Sequence, residues 1–259
     1  MNRIDGVFTR GRTALIAYVT VGYPSLEATR SVVPLLERWG CDIVEMGIPF
    51  SDPLADGATI QQASDAALRG GVTPRRCLEL ARELRHKTEL PLVFMSYFNP
   101  VLHYGLEEFC HSSQQAGVEG LIIPDLPPEE GFELEAASRR HSLDLIYLLA
   151  PTSTGARIRL VASHSRGFIY LVSTTGVTGA REKLAGGLAG FVGRVRQITG
   201  LPLCVGFGIS TPAQARAVAG MADGVIIGSR IVQLMSVGDN FASLGEFVSG
   251  LRRALDERE

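Results

Sequence analysis

Glu45 interrupts an otherwise apolar run, Ile43-Val44-Glu45-Met46-Gly47, whose composition predicts a buried strand. Side chains alternate along a strand, so Glu45 shares a face with Ile43 and Gly47. A carboxylate buried there without a partner is costly, which raises its pKa or demands a dedicated ligand. Such an acid suits proton transfer near neutral pH. Asp56 follows in a loop rich in proline and aspartate, Pro49-Phe50-Ser51-Asp52-Pro53-Leu54-Ala55-Asp56-Gly57, which can fold back over the strand end. Asp before Gly, and Asp52 before Pro53, are also ordinary turn chemistry.

Other catalytic chemistries find little to work with. Of the two lysines, Lys87 precedes a strand and Lys183 lies in a glycine-rich loop, a poor place for a buried amine of lowered pKa, so Schiff-base chemistry is not expected. His86, His111, His141 and His164 fall within or at the ends of helical stretches, and His103 follows a strand end. None forms a cluster with metal-ligand spacing, and no metal is expected. There is no GxSxG elbow and no Cys/His arrangement for a nucleophile. Carboxylate acid–base chemistry without a cofactor is what remains.

These acids need elements to hold them. Eight short apolar runs recur: 14–19, 42–46, 92–96, 120–123, 144–149, 168–172, 203–205 and 224–227. Between them lie stretches with helical spacing at 25–39, 75–85, 106–115, 128–141, 154–164, 188–198 and 211–219. Ser210-Thr211-Pro212 and Thr73-Pro74 carry cap-then-proline helix starts. Continuous runs such as Leu121-Ile122-Ile123 and Val225-Ile226-Ile227 suit parallel strands covered on both faces. Eight strand–helix units predict an α/β protein with the (β/α)8 TIM barrel fold, a single domain over residues 1–259. A doubly wound open sheet is disfavoured by the missing early GxGxxG. Barrel chemistry sits on the loops after the strands, and the long ones are about 47–60 and about 173–187.

Composition narrows the partners. The 259 residues are 46% hydrophobic and carry 25 basic and 27 acidic residues without long runs of one sign, so nucleic acid and anionic membrane are not expected. The four cysteines, Cys41, Cys77, Cys110 and Cys204, form no CxxC pair, as in a reduced cytoplasmic protein. No apolar run reaches membrane-spanning length, and Met1 to Arg12 lacks the apolar core of a signal peptide. Glycine is over-represented at 29 residues, against a usual share of roughly 7%. Gly176 and Gly179, Gly206 and Gly208, and Gly228 with Ser229 follow the last three strands, where backbone amides of a barrel commonly hold a phosphate.

Taken together, the residues Glu45 to Gly57 with Thr59-Ile60-Gln61, then Pro124-Asp125-Leu126-Pro127, Gly176-Val177-Thr178-Gly179, Gly206-Phe207-Gly208-Ile209-Ser210 and Gly228-Ser229 resemble the family of tryptophan synthase α subunits over essentially the whole chain. The resemblance implies a carbon–carbon lyase: retro-aldol cleavage of indole-3-glycerol phosphate to indole and glyceraldehyde 3-phosphate in tryptophan biosynthesis. It makes Glu45 the proton shuttle and Asp56 the acceptor of the indole N–H. Gly179, Gly208, Gly228 and Ser229 match phosphate-binding positions, and Tyr18, Ile60, Ile122, Leu148, Tyr170, Thr178 and Phe207 match the indole pocket. Pro124, where a small residue can occur, and Thr174, where some members have Arg, depart from the family and bear on pocket shape and lid contacts.

The resemblance also implies a partner, a β subunit in an α2β2 heterotetramer, to which indole is passed. Asp52, Pro53 and the loop Asn99-Pro100-Val101-Leu102 match the region facing it. Pyridoxal phosphate is expected only in that β subunit, with no cofactor in this chain. Two other readings stand beside this one: a related phosphate-binding barrel isomerase, and a silent subunit that only docks. The acid pair in its loop context argues against the first, and retention of both acids against the second.

Overall fold

The computed structural model describes residues 3–172, 184–206 and 208–257. Among them nine parallel strands form one sheet: β1 (Ala14–Thr20), β2 (Ile43–Gly47), β3 (Leu92–Met95), β4 (Gly120–Ile122), β5 (Asp144–Ile146), β6 (Leu148–Leu149), β7 (Ile169–Val172), β8 (Leu203–Gly206) and β9 (Gly224–Ile227). Their order is β5-β4-β3-β2-β1-β9-β8-β7-β6. The fifth expected strand is thus split at Tyr147, its first half pairing with β4 and its second with β7. Arg166 N donates to Leu145 O at 3.0 Å and Tyr170 N to Tyr147 O at 3.1 Å, so the halves bring the two sheet edges together as a (β/α)8 barrel.

The in–out alternation of a strand sorts the core into two clusters. Ile16, Tyr18, Ile43, Val93, Met95, Ile122, Ile146, Tyr170, Cys204 and Ile226 share the barrel interior. Leu15, Ala17, Val44, Met46, Phe94, Leu121, Leu145, Leu171, Val205 and Ile227 pack outward under the helices. Burial on both faces is why the strands read as unbroken apolar runs.

Twelve helices are described: α1 (Arg3–Phe8), α2 (Leu26–Arg38), α3 (Ala58–Arg69), α4 (Pro74–Arg85), α5 (Phe98–Tyr104), α6 (Leu106–Gln115), α7 (Phe132–Arg140), α8 (Gly155–His164), α9 (Leu184–Arg196), α10 (Pro212–Ala219), α11 (Ser229–Met235) and α12 (Ala242–Asp256). The expected caps are present: Thr73 Oγ1 accepts from Arg76 N at 3.3 Å and Thr211 Oγ1 from Gln214 N at 3.2 Å. α7 starts at Phe132 rather than near Pro128, because residues 127–131 form turns in which Glu130 N and Gly131 N donate to Pro127 O and Pro128 O.

The N-terminal stretch is not a loop. α1 plugs the base of the barrel, with Ile4 and Val7 in the interior cluster and the Phe8 ring 5.9 Å from that of Phe168. α12 is tied to the same end, where Arg252 Nη1 meets the buried Asp42 at 3.1 Å and donates to Thr13 O at 3.1 Å. Asp42 also accepts from Leu15 N at 3.0 Å, so neither buried charge lacks a partner.

Candidate active site

Register places the acid. Tyr18 of β1, Glu45 of β2 and Val93 of β3 stand side by side on the interior face, one step below Gly47 and Met95. Glu45 is 0% exposed, and among the described residues neither of its carboxylate oxygens has a hydrogen-bond partner. Burial pushes its pKa up to about 8, so at neutral pH it holds a proton committed to no acceptor.

Asp56 reaches the same mouth from the β2–α3 loop and is 7% exposed. Burial raises its pKa to about 6, against a hydrogen bond from Tyr97 that favours the ionised form. The two acids therefore differ in charge near pH 7, a division suited to one proton donor and one anion. Tyr18 and Tyr170 have pKa values raised first by burial, and both also feel the charges of Asp56 and Glu45. These four groups share one electrostatic site.

Tyr97 is a residue that sequence reasoning missed. Its hydroxyl accepts from Ala55 N at 2.8 Å and donates to Asp56, and its ring lies 5.2 Å from that of Phe50. The β2–α3 loop is thus wrapped around Tyr97 at three points. Gln61 Nε2 adds a bond to Asp56 O at 2.9 Å, fixing the loop from the first turn of α3.

The expected pocket residues converge on this mouth. Ile60 of α3 lies beside Tyr18 and Gly228: a Cβ on Gly228 would lie 3.6 Å from Tyr18 Cβ and 3.7 Å from Ile60 Cδ1. Ile122 ends β4 opposite Met95, and Leu148 faces Tyr170 across the β6–β7 ladder. Met95, 8% exposed in the same interior cluster, is another member that the sequence did not single out. Thr178, Gly179 and Phe207, with Gly176, Thr174 and Lys183 of the long loop, lie outside the described residues.

The glycines divide into two kinds. Gly208 has φ +77° with no described neighbour within 4 Å of where a Cβ would be, and Gly228 precedes the first turn of α11, which begins at Ser229. Glycine at such positions lets backbone N–H groups approach an anion without a Cβ in the way. Gly206 serves differently, since it ends β8 and a Cβ would lie 2.3 Å from the Tyr170 hydroxyl. Gly47 makes the same room for Tyr18, at 2.1 Å. Part of the glycine excess therefore makes room for the two pocket tyrosines rather than lining an anion.

The stretch Asn99-Pro100-Val101-Leu102 is helical, inside α5, not a loop. Val101 points into the core while Asn99 and Leu102 are exposed. Asp52 is exposed and Pro53 and Pro100 are partly so. Three large apolar side chains stand out in this quarter: Leu54 at 92%, Phe132 at 78% and Leu102 at 51% exposure. They follow β2, β4 and β3 in turn, on the strand-end face of the barrel. A groove of about 1160 Å³ lies at the opposite end, between Arg12, Arg196 and Arg216. All three arginines there are already paired, with Asp42, Asp223 and Glu257.

Among the described residues, no group of three or more His, Cys, Asp or Glu could hold a metal ion. None of the described helices is long and apolar enough to cross a membrane.

Comparison with known proteins gives a consistent answer. Residues 6–246 match the family model described as tryptophan synthase alpha chain. The tryptophan synthase alpha chain of Dehalococcoides mccartyi is 55% identical over 256 residues, covering 99% of this chain and 100% of that one. That of Geobacter sulfurreducens is 47% identical over 262 residues, covering 98% and 99%. Among solved structures, tryptophan synthase from Mycobacterium tuberculosis in an aminoacrylate-bound form matches with a TM-score of 0.90 at 38% identity, covering 98% and 100%. Tryptophan synthase subunit alpha from Legionella pneumophila matches with a TM-score of 0.91 at 34% identity, covering 99% of each chain.

Proposed function

The chain belongs to the family of tryptophan synthase alpha chains, and from that premise we propose how its residues divide the work. Members of this family are lyases that cleave indole-3-glycerol phosphate to indole and glyceraldehyde 3-phosphate. The observation that carries the assignment of roles is a buried Glu45, unpartnered among the described residues, and an Asp56 held by Tyr97, both acting on Tyr18 and Tyr170.

Breaking the carbon–carbon bond needs a proton at indole C3, accommodation of positive charge at the ring nitrogen, and removal of the hydroxyl proton on the adjacent side-chain carbon. Glu45, protonated at neutral pH, delivers its proton to C3 and, once ionised, takes the hydroxyl proton, so it ends as it began. Asp56, ionised at neutral pH, accepts a hydrogen bond from the indole N–H and stabilises the charged ring. The ring lies among Tyr18, Ile60, Ile122, Leu148 and Tyr170, joined by Thr178 and Phe207 from outside the described residues. Gly208, Gly228 and Ser229, with Gly179, hold the phosphate through backbone N–H groups, which suits a chain of near-neutral charge.

Indole then passes to a β subunit. Its docking face is formed by Asp52, Pro53, Asn99 and Pro100, with exposed Leu54, Leu102 and Phe132 supplying the apolar area. Pyridoxal phosphate belongs to that partner, and the reaction here uses carboxylates alone. The chain works in the cytoplasm, where its four free cysteines stay reduced. The test is indole release from indole-3-glycerol phosphate by the purified chain, with and without a β subunit. Release that the β subunit accelerates is the expected result; a chain silent under both conditions overturns the reading.

A further inference from the structure

The segment Pro124-Asp125-Leu126-Pro127 follows β4 and has no part in the reaction as assigned so far. Leu126 N donates to Ile123 O at 3.1 Å, closing a tight turn with Asp125 at its exposed side. Both Asp125 carboxylate oxygens accept from the Phe98 backbone N–H, at 2.9 and 3.2 Å. Phe98 is the first residue of α5, so Asp125 caps a helix of the neighbouring strand–helix unit.

α5 needs that cap because its own N-cap is Tyr97, in extended backbone with no side-chain cap bond. Ser, Thr, Asp and Asn are favoured there because a short side-chain oxygen reaches the orphan N–H groups of the first turn. A tyrosine cannot fold back in this way, and its hydroxyl is committed to Ala55 N and the Asp56 carboxylate. The N-cap position has gone to a ring that serves the site, and the capping oxygens come from the next loop.

We propose that Asp125 is a positioning residue for the cleavage: by holding the start of α5 it fixes Tyr97, and through Tyr97 the direction in which Asp56 presents its carboxylate. The proposal rests on the assignment of Asp56 to the indole N–H. Asp125 itself touches no reacting atom.

The test compares the full chain with its D125A, D125N, Y97F and D125A/Y97F variants, measuring kcat for indole-3-glycerol phosphate across pH. Losing one cap of this kind predicts about a tenfold lower kcat for D125A, whereas D125N keeps an acceptor oxygen and most of the activity. The double variant is expected within about twofold of Y97F, because the two residues act along one path. The acid limb of the profile moves to higher pH in D125A and Y97F, since Asp56 loses a bond that favours its ionised form. Binding of glycerol phosphate, which lacks the indole, stays unchanged. A D125A chain with wild-type kcat and acid limb overturns the proposal, as does a loss that multiplies with Y97F. Should D125A fail to fold, Phe98→Pro removes the donor instead, at a position where proline is tolerated, and must give the same acid-limb shift. A wild-type chain that does not cleave its substrate sinks the functional reading; a normal wild type beside an unaffected D125A sinks only this link.

Discussion

Tyr18 stands directly opposite Glu45 across the β1–β2 ladder, yet its hydroxyl lies 3.3 Å from Thr20 Oγ1, and the acid is left without a partner among the described residues. The hydroxyl passes over Gly47, where a Cβ would lie 2.1 Å from the oxygen. A polar group next to a buried acid would ordinarily satisfy it. Here it does not, and the consequences can be measured.

Glu45→Gln removes the ionisable group while keeping its volume. The folded-state pKa is raised to about 8 from 4.5, so the stabilising contribution is full below about 4.5 and is lost as pH rises through 8. Wild type should lose roughly a few kcal/mol across that window relative to the variant. Denaturant unfolding at pH 5 and at pH 8.5 measures this; the Gln variant should be the more stable at the higher pH, with its indole release down on the order of a thousandfold.

The activity of the wild type should follow a bell in pH. Asp56 must be ionised and Glu45 protonated, so kcat rises through about 6 and falls through about 8. Asp56→Asn should flatten the acid limb and lower kcat by roughly a hundredfold, while the affinity for glycerol phosphate is retained. Equal losses in both quantities would point to a structural role for Asp56.

Gly206→Ala probes the room made for the second pocket tyrosine. Its Cβ would lie 2.3 Å from the Tyr170 hydroxyl and 2.7 Å from Cζ, so the ring must move. Overpacking of this kind costs about 1–3 kcal/mol. A lower melting temperature together with a raised KM is expected, and pairing the change with Tyr170→Leu should restore stability without restoring KM. An unaltered melting temperature in the single variant would show that the ring has space to retreat.

Charge placed on the strand-end face should separate docking from folding. Leu54→Lys and Phe132→Lys alter side chains that are 92% and 78% exposed, so melting should shift little. Titration calorimetry with a β subunit should show affinity weakened by tenfold or more, on the order of one lost apolar anchor. Unchanged affinity in both variants would move the interface elsewhere.

The elements legible in the sequence are those with their own local signals. α2, α4, α8 and α10 each begin at a Ser or Thr whose side chain bonds a first-turn N–H, and helical spacing predicts each of them. α6 and α7 lack such a bond and are legible from spacing alone, whereas α3, α5, α11 and α12, which also lack one, are passed over by the sequence reading. The strands are legible because burial on both faces makes them continuous apolar runs, and Glu45 because it breaks one. Tyr97 is not, because its bond to Asp56 joins two strand–helix units and only the β2–β3 pairing brings them together. Nor is the role of Gly206, since a glycine that makes room for a distant ring looks in sequence like one that opens a turn.

α1 closes the base of a barrel whose interior is already filled by layers of side chains. Glu45 lies above that closed base on the interior face, so packed side chains block approach from the α1 side. The strand-end rim, which carries the exposed Leu54 and Leu102, is on the opposite side from that closure. A partner seated on that rim would face the open side of the barrel, away from its plugged base.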